Sequence, residues 1–319
     1  MYQQKGQGGL LDPQVKCFLD EINSEEPVEF GQLSLDEIRG SSSIPDRYLV
    51  KEELDVHVKE ISMTTHAGKK LAMRVYKKDL QIQQAPLMFF HGGCWVFCGL
   101  DSHDALCRKL CYDSGFTVIS VDYRLSPENK FPQGLEDCYD ATQWVRENYE
   151  ELQLKDEDVI ICGDSAGGNL AIGVSTLAHQ RNSFKVRGQI LFYPITDVSK
   201  LNTESYQAYS KNHFLTKETI SVCSDYYVSN KEDKQNALVS PLLEESFKGV
   251  PKTLIQTAEF DILRDEAEAY GNKLEKEGVE VTCTRYNGLI HAYLALAGGV
   301  EFASEALEDA VGFLQSFDL

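Results

Sequence analysis

From about residue 54 onward, short apolar and β-branched runs alternate with longer amphipathic stretches, and no other feature constrains the fold as tightly. The first run, "LDVHVKEISM", has the two-residue period of a strand, and "KLAMRVYKK" follows it across a turn at Thr64 to Gly68. "APLMFF" (85–90), "FTVISVDY" (116–123), "DVIIC" (158–162), "GQILFYP" (188–194), "KTLIQTA" (252–258) and "VEVTCTRY" (279–286) complete the strand set. Between them lie helical patterns such as "LEDCYDATQWVRENY" (135–149) and "DEAEAYGNKLEKEG" (265–278). Strands alternating with helices of this length predict an α/β fold around a mostly parallel sheet flanked by helices.

Two segments interrupt the alternation. Residues 1–50 hold a predicted helix, "PQVKCFLDEI", and then the polar "RGSSSIPD", whose Ser41 to Ser43 form the one low-complexity patch. Residues 200–235 are rich in Tyr and Ser and read as helical. Both read either as inert decoration or as segments that pack together as a lid on a domain spanning 51–319, the second as an insertion within it.

Charge narrows the partners. Lys and Arg total 31 against 50 Asp and Glu, a net charge of −19, which repels phosphate backbones and anionic lipid. Nucleic acid is therefore not an expected partner. No uncharged apolar run approaches the ~20 residues of a membrane helix, and the start of the chain lacks the pattern of a secretory signal. Nine cysteines, an odd number scattered over predicted core elements, fit reduced thiols and a cytoplasmic location. Cys94, Cys98, Cys107 and Cys111 with His91 and His103 do not have zinc-site spacing, so no metal is expected.

The chemistry-bearing stretch is "VIICGDSAGGNL", residues 159–170. A sharp strand-to-helix turn forces its apex residue into an unfavourable backbone conformation and crowds the positions two before and two after it. Gly163 and Gly167 stand there around Ser165. This is the pattern of a nucleophile elbow, which lifts a hydroxyl above the sheet and aims the next N–H, that of Ala166, at a substrate. G-x-S-x-G arises by chance in roughly one chain in ten of this length, so the strand before it and the helix after it carry the argument. The competing reading is a tight turn with a capping Ser.

Acyl transfer also needs donors for an oxyanion, and "FFHGGCW" offers a glycine-rich loop after another predicted strand. A general base is needed as well. Of seven histidines, His291 in "YNGLIHAYLALAGG" follows the last predicted strand. The others, His57, His66, His91, His103, His179 and His213, read as surface or satisfied core imidazoles, with His91 bracing its own loop. "TAEFDILRDEAEAY" supplies Asp261 as the orienting acid, ahead of Asp265, which reads as a cap of the next helix, and of Glu259 at the strand end. The order Ser165, Asp261, His291 is the one an α/β-hydrolase requires.

Together "FFHGGCW", "DYRLSPENKFP", "GDSAGGNLA", "AEFDILRDE" and "GLIHAY" resemble the hormone-sensitive-lipase branch of the α/β-hydrolases, with its arylacetamide deacetylases and microbial carboxylesterases. The resemblance runs from about residue 55 to the C-terminus. It implies a serine carboxylesterase acting on short-to-medium acyl esters, with a lid and without metal or organic cofactor. Carried over by position, Ser165 is the nucleophile, Asp261 the acid and His291 the base. The N–H groups of Gly93, Cys94 and Ala166 are the oxyanion donors, and His91, Gly92 and Asp164 are supporting residues. Asp122 and Glu128 match positions that support the site. Cys94 departs from the family's third Gly, which places a Cβ beside the acyl pocket, and Ala292-Tyr293 replaces the usual Gly-Phe. A small-molecule ester is the implied partner, with a homodimer left open. An arylacetamide-type amidase uses the same triad. A non-catalytic receptor, of the gibberellin-receptor kind, lacks the His that stands here at 291.

Overall fold

The computed structural model describes residues 2–24, 29–40, 44–49, 53–81, 84–155 and 157–317; Ser41 to Ser43 lie outside them. Nine strands form one sheet: β1 (Tyr2–Lys5), β2 (His57–Thr64), β3 (Lys70–Lys77), β4 (Pro86–Phe90), β5 (Thr117–Val121), β6 (Val159–Asp164), β7 (Val186–Phe192), β8 (Lys252–Phe260) and β9 (Val281–Ile290). They lie in the order β1-β9-β8-β7-β6-β4-β5-β3-β2. β2 and β3 run antiparallel to their neighbours and all other pairs are parallel. The sequence accounts for this division. β4, β5 and β6 are buried at every position, as parallel strands covered on both faces are, whereas β2 alternates polar and apolar residues and lies at the edge.

The helices are α1 (Pro13–Ile22), α2 (Leu35–Gly40), α3 (Asp104–Ser114), α4 (Gln133–Glu147), α5 (Ala166–Gln180), α6 (Glu204–Ala208), α7 (Lys217–Tyr227), α8 (Arg264–Lys276) and α9 (Glu301–Gln315). Local chemistry sets several ends. At α1, Asp12 accepts from the N–H groups of Gln14 and Val15, and Pro13 occupies the first turn, where a missing donor costs nothing. Two apolar clusters form, one on each side of the sheet's main run: Leu170 and Tyr227 belong to the first, Leu110 and Leu314 to the second. No helix among the described residues is long and apolar enough to cross a membrane.

β1 differs from the sequence reading. Its "YQQK" has no strand-like apolar pattern, and the residues around it were expected to belong to a lid. It pairs in parallel with β9, from Tyr2 opposite Cys283 to Lys5 opposite Tyr286. Side chains hold it there: Gln3 donates to Thr284 Oγ1 at 2.8 Å, Lys5 meets Asp309 at 2.6 Å, and Arg285 lies over the Tyr2 ring. Beyond β1, Asn23 and Gly31 reach the 200–235 insertion. Gly31 N–H donates to Glu218 Oε1 at 3.0 Å, and Asn23 donates to the Asn212 carbonyl at 3.1 Å.

Candidate active site

β6 ends at Asp164 and α5 begins at Ala166, so Ser165 alone makes the turn, at φ 54° and ψ −117°. Such a backbone is open to Gly and costs any L-residue about 1–3 kcal/mol. The surrounding structure holds it there: Ser165 N–H donates to the Phe192 carbonyl at 2.8 Å, and its own carbonyl accepts from Ile195 at 3.2 Å. The flanking glycines are sterically required. A Cβ on Gly163 would lie 2.3 Å from the Gly167 carbonyl oxygen, and one on Gly167 would lie 1.9 Å from the Phe90 carbonyl oxygen. The Ser165 hydroxyl does not cap α5. It points instead at an imidazole.

That imidazole is His291, one residue beyond β9. Its Nε2 lies 3.0 Å from Ser165 Oγ and its Nδ1 lies 2.8 Å from Asp261 Oδ2. Asp261 follows β8 directly, and its other oxygen accepts from Leu263 N–H at 2.9 Å, which fixes the carboxylate plane. Ser165, Asp261 and His291 are 4%, 1% and 4% exposed, so bulk water barely reaches them. The Tyr193 ring stands edge-on to the His291 ring at 4.8 Å, and the left-handed backbone of Ala292 (φ 59°) turns the chain immediately after it. A carboxylate on Nδ1 leaves Nε2 as an acceptor, and an acceptor 3.0 Å from a hydroxyl can take its proton.

The other two carboxylates have different work. Glu259 accepts from the N–H groups of Gly9 and Gly288, tying the N-terminal segment to β9. Asp265 does not cap α8, contrary to the sequence reading. It lies inside the first turn, where its oxygens instead accept from Ser205 N–H and from Arg264.

The loop after β4 starts against the elbow, where a Cβ on Gly167 would meet the carbonyl oxygens of Phe90 and His91. It holds a run of left-handed residues, Gly93 (φ 108°), Cys94 (φ 52°) and Trp95 (φ 62°), and such a run turns successive N–H groups to one side. Among the described residues neither Gly93 nor Cys94 donates its N–H to a protein acceptor. Ala166 opens α5, so its N–H has no partner within the helix. Gly92 N–H, by contrast, is taken by Asp164 Oδ1 at 2.7 Å. His91 is wholly buried, donates from Nδ1 to the Gly92 carbonyl at 2.6 Å, and stacks on Tyr123. Burial and the neighbouring His103 bring its imidazole down to about 3, so it stays neutral and does not exchange protons near neutral pH.

Three contacts at the site have no sequence signature. The Trp95 ring stacks flat on Tyr227 of α7, with centroids 4.3 Å apart, which joins this loop to the 200–235 insertion. Cys223, one turn earlier on α7, neighbours Cys94 and together with burial holds its thiol well above the usual range. Arg39 of α2 donates to the Val96 carbonyl at 2.9 Å while gripping Glu128 with both nitrogens. A separate surface cleft of about 450 Å³, lined by His66, Arg124, Glu136, Tyr139, Asp140 and Arg181, contains none of these residues. Its guanidiniums are already paired, Arg124 with Asp137 and Arg181 with Glu136.

Known proteins are similar to this chain in sequence and fold. A sequence family described as having the alpha/beta hydrolase fold matches residues 87–295. The chain is 34% identical over 294 residues to an arylesterase of Saccharolobus solfataricus, covering 89% of this chain and 92% of that one. It is 35% identical over 262 residues to an ethyl acetate hydrolase of Pseudomonas putida, covering 81% and 82%. The crystal structure of a thermostable esterase from Pseudomonas putida superposes with a TM-score of 0.90 at 33% identity over 98% of each chain. The chain belongs to the α/β-hydrolase fold family.

Proposed function

We propose that this chain is a serine carboxylesterase that cleaves esters of short-to-medium acyl groups through an acyl-enzyme intermediate. The observation that carries the reading is the buried line from Asp261 through His291 to Ser165, with contacts of 2.8 and 3.0 Å. Asp261 holds the imidazole with its Nδ1 protonated, and Nε2 accepts the Ser165 proton as Oγ attacks the ester carbonyl. The carbonyl π electrons move onto oxygen, which the N–H groups of Gly93, Cys94 and Ala166 receive. The intermediate collapses, the C–O bond to the alcohol breaks, and His291 returns its proton to the leaving oxygen. Water then repeats the sequence on the acyl-serine, releasing acid and restoring Ser165.

The arylesterase and ethyl acetate hydrolase relatives, both named for ester cleavage, support this reading. All three side chains and all three donors come from one chain, so a homodimer is not needed to complete the site. The lid reading for 200–235, and for the N-terminal segment beyond β1, is supported by the Trp95–Tyr227 stack and by the Gly31–Glu218 hydrogen bond. Nine free cysteines, seven of them buried, suit a reducing compartment such as the cytoplasm.

The test is Ser165→Ala against p-nitrophenyl acetate and butyrate. Turnover is expected to vanish while melting temperature and circular dichroism stay close to those of the parent. Undiminished hydrolysis by the variant refutes the assignment. An acyl-length series on the parent then sets the pocket's reach, with activity expected to fall off at long chains.

A further inference from the structure

We propose that His103 is a positioning residue for the oxyanion loop, acting through Asp164 on the backbone of Gly92. This rests on the reading of Ser165 and of the Gly93 and Cys94 donors given above. His103 precedes α3, far from the triad in sequence, yet its Nε2 lies 3.2 Å from Asp164 Oδ1. The same oxygen accepts the Gly92 N–H at 2.7 Å. Asp164 therefore ties the residue before the proposed nucleophile to the residue before the proposed oxyanion donors. The fit is close: a Cβ on Gly92 would lie 2.3 Å from Asp164 Oδ2.

A carboxylate this deep (6% exposed) needs compensation. Burial alone would raise it, but the attraction of His103 and the Gly92 N–H donor outweigh burial and hold it below the usual carboxylate range. His103 is itself anchored. Its Nδ1 lies 2.8 Å from Ser102 Oγ, whose proton has an acceptor in the Gly99 carbonyl at 2.9 Å, while Gly99 N–H donates back at 3.0 Å. The two ring nitrogens of His103 face Ser102 on one side and the Asp164 carboxylate on the other. The histidine thus clamps two turns of the loop that runs from Gly92 to Ser102. Without it, Asp164 keeps one donor and an uncompensated charge. The carboxylate would then turn toward water and release Gly92, and the next two N–H groups would lose their aim.

Oxyanion donors act on the transition state, so the effect belongs in kcat. His103→Leu is expected to lower kcat for p-nitrophenyl butyrate by about 10- to 100-fold, the scale of a misaimed catalytic group. KM should stay within about twofold, because ester binding does not use these donors. Affinity for a trifluoromethyl ketone, whose serine adduct carries the oxyanion, should fall in proportion to kcat. His103→Gln places an amide N–H near the position of Nε2 and should recover most of the loss. If the apolar variant does not fold, His103→Asn, whose amide falls short of Asp164, carries the same expectation.

The inference is overturned if His103→Leu turns over like the parent, if its defect lies in KM, or if Gln is as poor as Leu. Ser165→Ala in the same assay separates the two levels of the argument. An active Ser165→Ala removes the active-site reading, whereas a dead Ser165→Ala beside an undamaged His103→Leu removes only the role of His103.

Discussion

Replacing Ser165 by Gly and, separately, by Ala isolates the strain stored at the elbow. Both variants lose the hydroxyl and its contact with His291, so that loss cancels between them. What differs is the backbone at φ 54° and ψ −117°, which Ala must bear and Gly adopts freely. The release is about 1–3 kcal/mol. Against it stands the larger freedom of Gly in the unfolded chain, about 0.5–1 kcal/mol. The balance leaves the Gly variant more stable by about 0.5–2 kcal/mol, the reverse of the ordinary Ala-over-Gly order. For 319 residues the unfolding entropy makes each kcal/mol worth about 1.5 °C, so the melting temperatures should differ by about 1–3 °C. Paired thermal melts followed by circular dichroism, with p-nitrophenyl butyrate turnover read in parallel, measure both consequences. Neither variant should turn over ester. A Gly variant that melts below the Ala variant refutes the claim that strain is held at this residue.

Two further substitutions probe the neighbouring carboxylates. Asp261→Asn should lower kcat by about 10⁴-fold with little change in melting temperature, because the amide favours the wrong imidazole tautomer. Asp265→Asn, whose parent holds Ser205 N–H rather than His291, should leave kcat within a few-fold, and an equal loss from the two would refute the choice of acid. Glu266 is 1% exposed, and burial pushes its carboxyl well above the usual range, although Thr196 and Asp197 N–H donors pull the other way. Its contribution to stability is fully present below the ordinary Glu value, about 4.3, where both states are neutral. It is lost as pH rises toward the raised value, because only the unfolded chain ionises. Glu266→Gln keeps an acceptor and cannot ionise. Its melting temperature should match the parent near pH 4.3 and exceed it increasingly toward pH 8. A constant offset at every pH would refute a neutral Glu266.

The parallel strands were legible because a strand buried on both faces is mostly apolar, as "APLMFF" is throughout and "FTVISV" is but for Thr117 and Ser120. The glycines of the elbow were legible for a similar reason: a Cβ at 163 or 167 would lie within about 2.3 Å of a backbone carbonyl oxygen, so the position tolerates nothing else. β1 was not legible. "YQQK" carries no burial pattern because it lies at an edge, and what fixes it is pairing with residues near the other end of the chain, Thr284, Arg285 and Asp309.

The same distinction separates the parts of the active site. Ser165, Asp261 and His291 each follow a strand directly, so chain order and the sheet's carboxyl edge bring them together. His103 and Arg39 meet their targets across the fold, and their targets ask only for an N–H donor within reach, a demand that leaves no spacing behind in the sequence. Asp265 shows the cost of arguing from spacing alone. Its place at the start of α8 suits a cap, but the Ser205 N–H comes close enough from α6 to claim it. Backbone geometry restricts residue type at a position and can be read from one chain. A side-chain donor brought in from a distant element restricts only a distance, which appears once the fold has closed.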